Sequence, residues 1–349
     1  MLYSNAVDQV GRLTVLAPRN VPAPETIAMR VSWGLALLAC VAFVAAQNPE
    51  AKSPAASPNG FRFEAIGDKS LGLWEGDRPV FVYHFGAVTS SNAPNARSRS
   101  DYFHPLYGLD GEVLTDDFPQ DHDYHRGLYW AWSHIRVGDQ ELDSWSLRGV
   151  RYEFRRWLAK EARSDGARLG VENGWFVGDK QIMRETVWVQ VQPRSASSRA
   201  IDLELTWKPT ERAVSLLGAE GKSYGGLTLR FGPRSKTMIT VPGGRTNGDL
   251  VVTNLPWADL SGDLSKGRGD LSGIAVFVHP GHPDYPPTWM TRHYGLLAVG
   301  WPGVTSKTLP AGEPVTCRYR IWIHRGAPDA AEIQRAYEDY CARAKPHSE

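Results

Sequence analysis

The chain has 349 residues, with 39 Lys and Arg against 38 Asp and Glu and a formal net charge of +1. No basic stripe or acidic tail is present, which argues against nucleic acid or an anionic surface as a partner. Glycine (34), proline (24) and tryptophan (13) are plentiful, a composition suited to many short strands joined by tight turns.

Residues 1–28 show no periodicity and read as a mis-assigned start or an upstream extension. Met29-Arg30, the apolar run Val31 to Ala46 and the small residues Val44-Ala45-Ala46 then read as a signal peptide over 29–46. The expectation is export to the periplasm or the extracellular space. The run is shorter than the roughly 20 residues that span a bilayer, so no stable span is expected after cleavage, and a signal anchor is the lesser alternative. Leu37-Leu38-Ala39-Cys40 resembles a lipoprotein signal, but apolar residues continue past Cys40. Residues 47–60 read as a flexible linker, and cleavage would leave only Cys317 and Cys341, enough for at most one bridge.

From Phe61 onward the pattern is that of strands. Expected strands include Phe61 to Glu64, Pro79 to Phe85, Arg151 to Trp157, Ala167 to Asn173 and Gln181 to Gln192, with a hairpin turn at Gly178-Asp179. In the next, Ile201, Leu203, Leu205 and Trp207 alternate with polar residues. Later strands are expected at Leu227 to Phe231, Met238 to Val241, Leu250 to Asn254, Ile274 to His279, Leu296 to Trp301 and Val315 to His324, the last with Cys317 facing inward. A single helix should open at Pro328-Asp329 and run to about Ala344. The expected architecture is all-β: one large antiparallel two-sheet sandwich over residues 61–345 with one C-terminal helix. A propeller would need a blade period that is not seen.

Between Tyr102 and Trp132 the chain gathers His104, His122, His125, four aspartates, Arg126 and several aromatics. Loops on a rigid scaffold are where binding and catalytic groups concentrate. His122 and His125 are three apart, so both imidazoles can converge from one turn as an acid–base pair. With His104 they could also hold a divalent metal, Asp121 being the nearest fourth ligand; no cofactor is otherwise predicted. Arg126, next to Gly127, could clamp a substrate or form a structural ion pair. Trp130 and Trp132 share a face that reads first as core.

Further candidates lie along the chain. Glu185 starts a strand and could be a base, although strand carboxylates are usually solvated. Gly225-Gly226 could bring backbone close to a ligand and aim Arg230 at it, against the simpler reading of a hairpin followed by an exposed arginine. His279, His282 and Trp289 lie on a proline-stiffened loop that could face the first one. Neither a P-loop nor a Gly-x-Ser-x-Gly elbow is present.

These motifs carry a resemblance. From about Phe61 to Ala344 the chain resembles the bacterial PmoA-like proteins, commonly labelled methane oxygenase, through His104-Pro105-Leu106-Tyr107, Asp121 to Gly127, Gly225 to Arg230 and His279-Pro280 before Trp289. Tyr124-His125 stands where that family has His-His. One short apolar run is unlike the subunits of membrane methane monooxygenase, so that activity is not expected. The resemblance implies a fold similar to galactose mutarotase, a supersandwich whose relatives bind, epimerise or cleave carbohydrates.

The expected function is therefore that of an exported carbohydrate-active protein, an enzyme acting on a sugar or oxidised sugar by histidine acid–base chemistry. His122 and His125 would exchange the proton, and His104 and Arg126 would orient the substrate. Glu185, Arg230 and His279 would support them, with Asp121, Tyr124, His282 and Trp289 in substrate contact. The alternatives are a non-catalytic glycan-binding module and a metal-dependent hydrolase or oxygenase.

Overall fold

Alternating apolar and polar side chains set the strands and the way they face. In Ser198–Pro209, Ile201, Leu203, Leu205 and Trp207 are buried while Asp202, Glu204 and Thr206 are partly exposed. Its antiparallel neighbour Val315–Arg325 places Ile321 opposite Ile201 and Cys317 opposite Leu205, so the apolar sets of both strands share one face. The computed structural model describes residues 60–343 apart from Asn92 and Lys266. The expected extension, the signal peptide, nearly all of the linker and the helix end at Ala344 lie outside the described residues.

Two nine-stranded antiparallel sheets make up the body. The first runs in the order Phe61–Ile66, Ser70–Glu75, Arg78–His84, Tyr102–Leu106, Leu128–Ala131, Gly226–Arg230, Leu296–Gly300, Thr288–Arg292, Thr253–Asn254. The second runs Gly244–Arg245, Ser235–Val241, Trp257–Asp263, Ser272–Val278, Val315–Arg325, Ser198–Pro209, Lys180–Val191, Ala167–Val177, Arg151–Ala162. A smaller sheet of four strands joins Lys307–Leu309, Val214–Leu217, His134–Val137 and Gln140–Leu142.

Inward side chains of both large sheets meet in one cluster, with Leu73, Phe103 and Trp130 from the first against Val171, Trp175, Leu205 and Ile321 from the second. This is face-to-face sheet packing around a shared core, as expected of the sandwich. Burying each such side chain contributes about 1.5–3 kcal/mol before the entropy of ordering it.

The helix spans Ala330–Arg343. Asp329 Oδ1 accepts the Glu332 N–H at 2.8 Å and so caps its first turn. Ile333, Tyr337 and Tyr340 pack on Trp257, Ala275 and Phe277, the side of the second sheet facing away from the core. Cys317 is buried and Cys341 half-buried, and both thiols are free. No helix among the described residues is long and apolar enough to cross a membrane.

One expected strand shrinks. Leu250 to Asn254 yields only Thr253–Asn254, paired with Trp289 and Thr288. Val251 and Val252 are exposed, and Val252 has a φ of 49°, a left-handed backbone that a β-branched residue adopts only when its surroundings hold it there.

The strand Leu128–Ala131 lies mid-sheet and separates the core from the outer face. Leu128 and Trp130 point into the core, whereas Tyr129 and Ala131 point to the opposite face and pack with Tyr102 and Trp145.

Candidate functional site

The outer face of the first sheet, around Tyr129, carries the candidate site. The preceding loop makes two successive tight turns, with His122 N–H donating to Pro119 O at 3.1 Å and His125 N–H to His122 O at 2.9 Å. This folding stacks the two imidazoles, with ring centres 4.5 Å apart and planes 6° from parallel. Tyr294, from the hairpin between Thr288–Arg292 and Leu296–Gly300, extends the column by stacking on His122 at 5.3 Å and 14°. Trp145 meets His125 edge-on at 5.6 Å and packs on Tyr224 at 4.5 Å.

Arg230 reaches the column from the adjacent strand. Its Nη2 donates to both Asp121 oxygens, at 2.8 and 2.9 Å, and its guanidinium lies 4.8 Å from the Tyr294 ring centre. Asp121 Oδ2 is also 3.0 Å from His122 Nδ1.

Several buried polar atoms here have no hydrogen-bond partner: His125 Nδ1, Tyr129 OH, and Arg230 Nε and Nη1. Orphaned buried donors and acceptors are rare in folded proteins and call for an explanation. Two open clefts of about 410 and 640 Å³ lie elsewhere, one beside Gln140 and Lys180, the other beside Asp110 and Arg325. None of their lining side chains leaves a buried polar atom unpaired, so the chemistry points to the outer face of the first sheet.

Burial shapes the protonation states. It lowers His125 to about 3, aided by His122 and Arg230, so this imidazole is neutral near pH 7. His104 is likewise lowered to about 3 by burial, with His84 and Arg126 adding to it. Burial raises Asp117 to about 6 against the pull of Arg126, and lowers Arg126 to about 10.

The expected site residues divide into those at the column and those placed elsewhere. His122, His125, Asp121, Tyr124 and Arg230 come together, with the Tyr124 ring edge-on to both imidazoles at 5.8 and 5.0 Å. His104 is turned to Thr115, its Nδ1 3.0 Å from Oγ1. Thr115 Oγ1 also accepts the Leu106 N–H at 3.1 Å. The expected metal set of His104, His122 and His125 is not assembled, because His122 and His125 present faces rather than lone pairs to each other. Among the described residues no three His, Cys, Asp or Glu side chains form a metal-holding group.

Arg126 takes a structural place. Fully buried, it donates from Nη1 to Asp123 O at 3.0 Å and His125 O at 2.6 Å, and from Nη2 to Arg97 O. Nε faces Asp117 at 3.6 Å. It therefore ties the loop backbone instead of reaching toward a ligand.

Glu185 is not solvated but 0 % exposed in the core. Its Oε2 accepts the indole N–H groups of Trp130, Trp175 and Trp207 at 2.7, 3.0 and 2.7 Å, and Asn173 donates to Oε1 at 3.2 Å. Burial and the charge of Glu185 push its neighbour Asp101 well above the ordinary carboxyl range, so Asp101 is the member of the pair that keeps its proton.

The loop carrying His279, His282 and Trp289 turns elsewhere. His279 packs on Tyr340 of the helix, and buried His282 lies between Trp301 and Tyr319. Trp289, also buried, gives its indole N–H to Leu255 O at 2.8 Å.

Sequence reasoning passed over Tyr129, Trp145, Tyr224, Asp117 and Tyr294. Alternation in Leu128–Ala131 signals Tyr129, since Trp130 is core. Tyr294 lies outside every motif, and only the sheet order brings it near His122.

In sequence, no curated protein matches the chain. Among solved structures, a polysaccharide lyase aligns with 80% of the chain at 10% identity and a TM-score of 0.34, and the chain covers 34% of that protein's length. A protein provisionally assigned as an aldose 1-epimerase from Escherichia coli K12 aligns with 76% of the chain and 100% of its own length, at 8% identity and a TM-score of 0.34. An aldose epimerase homologue from C. elegans aligns with 76% of the chain and 99% of its own length, at 8% identity and a TM-score of 0.31. A likeness at this level places no activity on the chain. The family that matches does not carry the PmoA-like label expected from the motifs: over residues 71–338 the chain belongs to DUF6807, a family of unknown function.

Proposed function

We propose that this is an exported carbohydrate-active protein that receives a sugar at the Tyr294–His122–His125 column and moves a proton through His125. The observation that carries the reading is the set of orphaned buried atoms, His125 Nδ1, Tyr129 OH and Arg230 Nε and Nη1, next to aromatic faces. Sugar hydroxyls supply the missing partners, and sugar C–H faces suit aromatic rings. Export rests on the signal-like segment 29–46.

In this reading the neutral His125 accepts a proton at Nδ1, and the nearby Asp121 carboxylate, which favours the protonated imidazole, offsets part of the charge that develops. Tyr129 donates a hydrogen bond from its hydroxyl. Arg126 is a positioning residue, holding the carbonyls of Arg97, Asp123 and His125.

The test is a screen of the secreted form against monosaccharides and reducing oligosaccharides, read by NMR of anomeric and neighbouring protons. His125→Gln should lose about 10²-fold or more in turnover with the fold retained. Turnover unchanged in that variant would overturn the mechanism. A non-catalytic glycan-binding module is the second reading, favoured by the low value of His125, which makes it a weak base. Sugar affinity constant from pH 5 to 8, with no product after long incubation, would select it.

A further inference from the structure

Arg230 holds more donor capacity than its neighbours use. Its side chain is 7% exposed, yet only Nη2 is engaged, by Asp121, while Nε and Nη1 have no partner. Asp121 itself is 46% exposed, a weak counterion for a guanidinium so deeply placed.

A second cation stands beside it. Arg234 donates to Gly232 O and His293 O, both at 2.8 Å, and its Nε is orphaned. Among the described residues no carboxylate pairs with it within ion-pair distance. The His293 carbonyl it holds belongs to the residue before Tyr294, whose ring lies over the Arg230 guanidinium; burial lowers Arg234 to about 10, with Arg230 adding to it. Asp116, which feels both guanidiniums, is raised above the ordinary carboxyl range by burial.

A neutral sugar would satisfy some of these donors but leave the excess charge in place. A carboxylate would do both, through charge-assisted hydrogen bonds that are shorter and stronger than neutral ones. We propose that the ligand is an acidic sugar of the hexuronate class, whose carboxylate is received by Arg230 with Arg234 behind it. This rests on the sugar-binding reading above. Tyr294, whose ring lies over Arg230 and is 42% exposed, must lift away to admit the carboxylate.

Binding of D-glucuronate and D-galacturonate would be measured by titration calorimetry beside D-glucose, D-galactose and acetate, at low and high salt. At low salt a uronate should bind about tenfold or more tighter than its neutral hexose, and salt should weaken it. Arg230→Gln should remove that preference. Asp121→Asn, which removes a competing carboxylate from Nη2, should raise the ratio of uronate to hexose affinity severalfold; it keeps the test valid if Arg230→Gln misfolds. Equal affinity for uronate and hexose, or acetate binding as tightly as the uronate, overturns the acidic-sugar assignment while the column remains a sugar site. If neither uronates nor hexoses bind, the sugar-binding reading itself fails.

Discussion

Replacing Glu185 by glutamine should destabilise the protein by about 2–4 kcal/mol, and by leucine considerably more. One carboxylate oxygen takes three indole N–H groups at 2.7–3.0 Å in a site with no solvent access. A hydrogen bond to a charged group contributes roughly 1.5–3 kcal/mol against about 1 for a neutral one. Loss of about 0.5–2 kcal/mol on each of three bonds is about 1.5–6 kcal/mol, and the glutamine figure is the middle of that range. Leucine would leave three indoles buried without an acceptor, at about 1–3 kcal/mol each, against a total stability of about 5–15 kcal/mol. Urea unfolding followed by tryptophan fluorescence is the assay, and Trp130, Trp175 and Trp207 are themselves the reporters. A fall in midpoint at constant slope would mark a loss of stability alone. Asp101→Asn should have a smaller effect than Glu185→Gln, because Asp101 keeps its proton and an amide resembles a protonated carboxyl. Glu185→Gln within about 0.5 kcal/mol of the parent would refute the claim that a charge is held there.

Acid should weaken the fold through its buried histidines. Burial lowers His84 and His282 to about 4 and His104 and His125 to about 3, all below the ordinary value of 6.5. Between those limits the unfolded chain takes up protons that the folded chain refuses. Stability is therefore full above about pH 6.5 and falls as pH drops, by on the order of 1 kcal/mol per histidine by pH 5.5. Asp117, raised to about 6, and Asp101, raised well above the ordinary carboxyl range, oppose this in part, because the folded chain holds protons there that the unfolded chain has released. Urea midpoints at pH 7.5 and 5.5 measure the difference, and equal midpoints would contradict it. Gly127→Ala should destabilise by several kcal/mol, since an added Cβ would come within 2.2 Å of Phe103 O and 3.0 Å of His104 Cβ; thermal unfolding unchanged from the parent would show that the loop gives way freely.

Local pattern made the fold readable. Alternation in Ser198–Pro209 and Val315–Arg325 told inward from outward faces, and Asp329 marked the helix start, because these signals lie within a few residues of where they act. The placement of Trp130 and Trp132 in the core followed from the same logic. The Leu250 segment misled because its apolar residues suggested a strand, while the left-handed Val252 takes the chain out of the ladder.

The site was legible only in its nearest-neighbour part. His122, His125 and Asp121 share one tight loop, so their spacing carried the information. Arg126 was ambiguous because its partners are backbone carbonyls, and every residue type supplies those. Glu185 reads as a surface carboxylate until Trp130, 55 positions away, is seen to donate to it. Tyr294 stacks on a residue far off in sequence, and that contact depends on the order of strands in the first sheet.

The alternation within Leu128–Ala131 sets a boundary for anyone redesigning this scaffold. Trp130 serves the ion held by three indoles, while Tyr129, one position away, faces the ligand side. The strand behaves as a party wall: its outward positions can be re-furnished for a new substrate, while the rooms behind it stay locked. A library that randomised both sides together would spend most of its members on collapsed interiors, and one confined to the outward side would sample recognition alone.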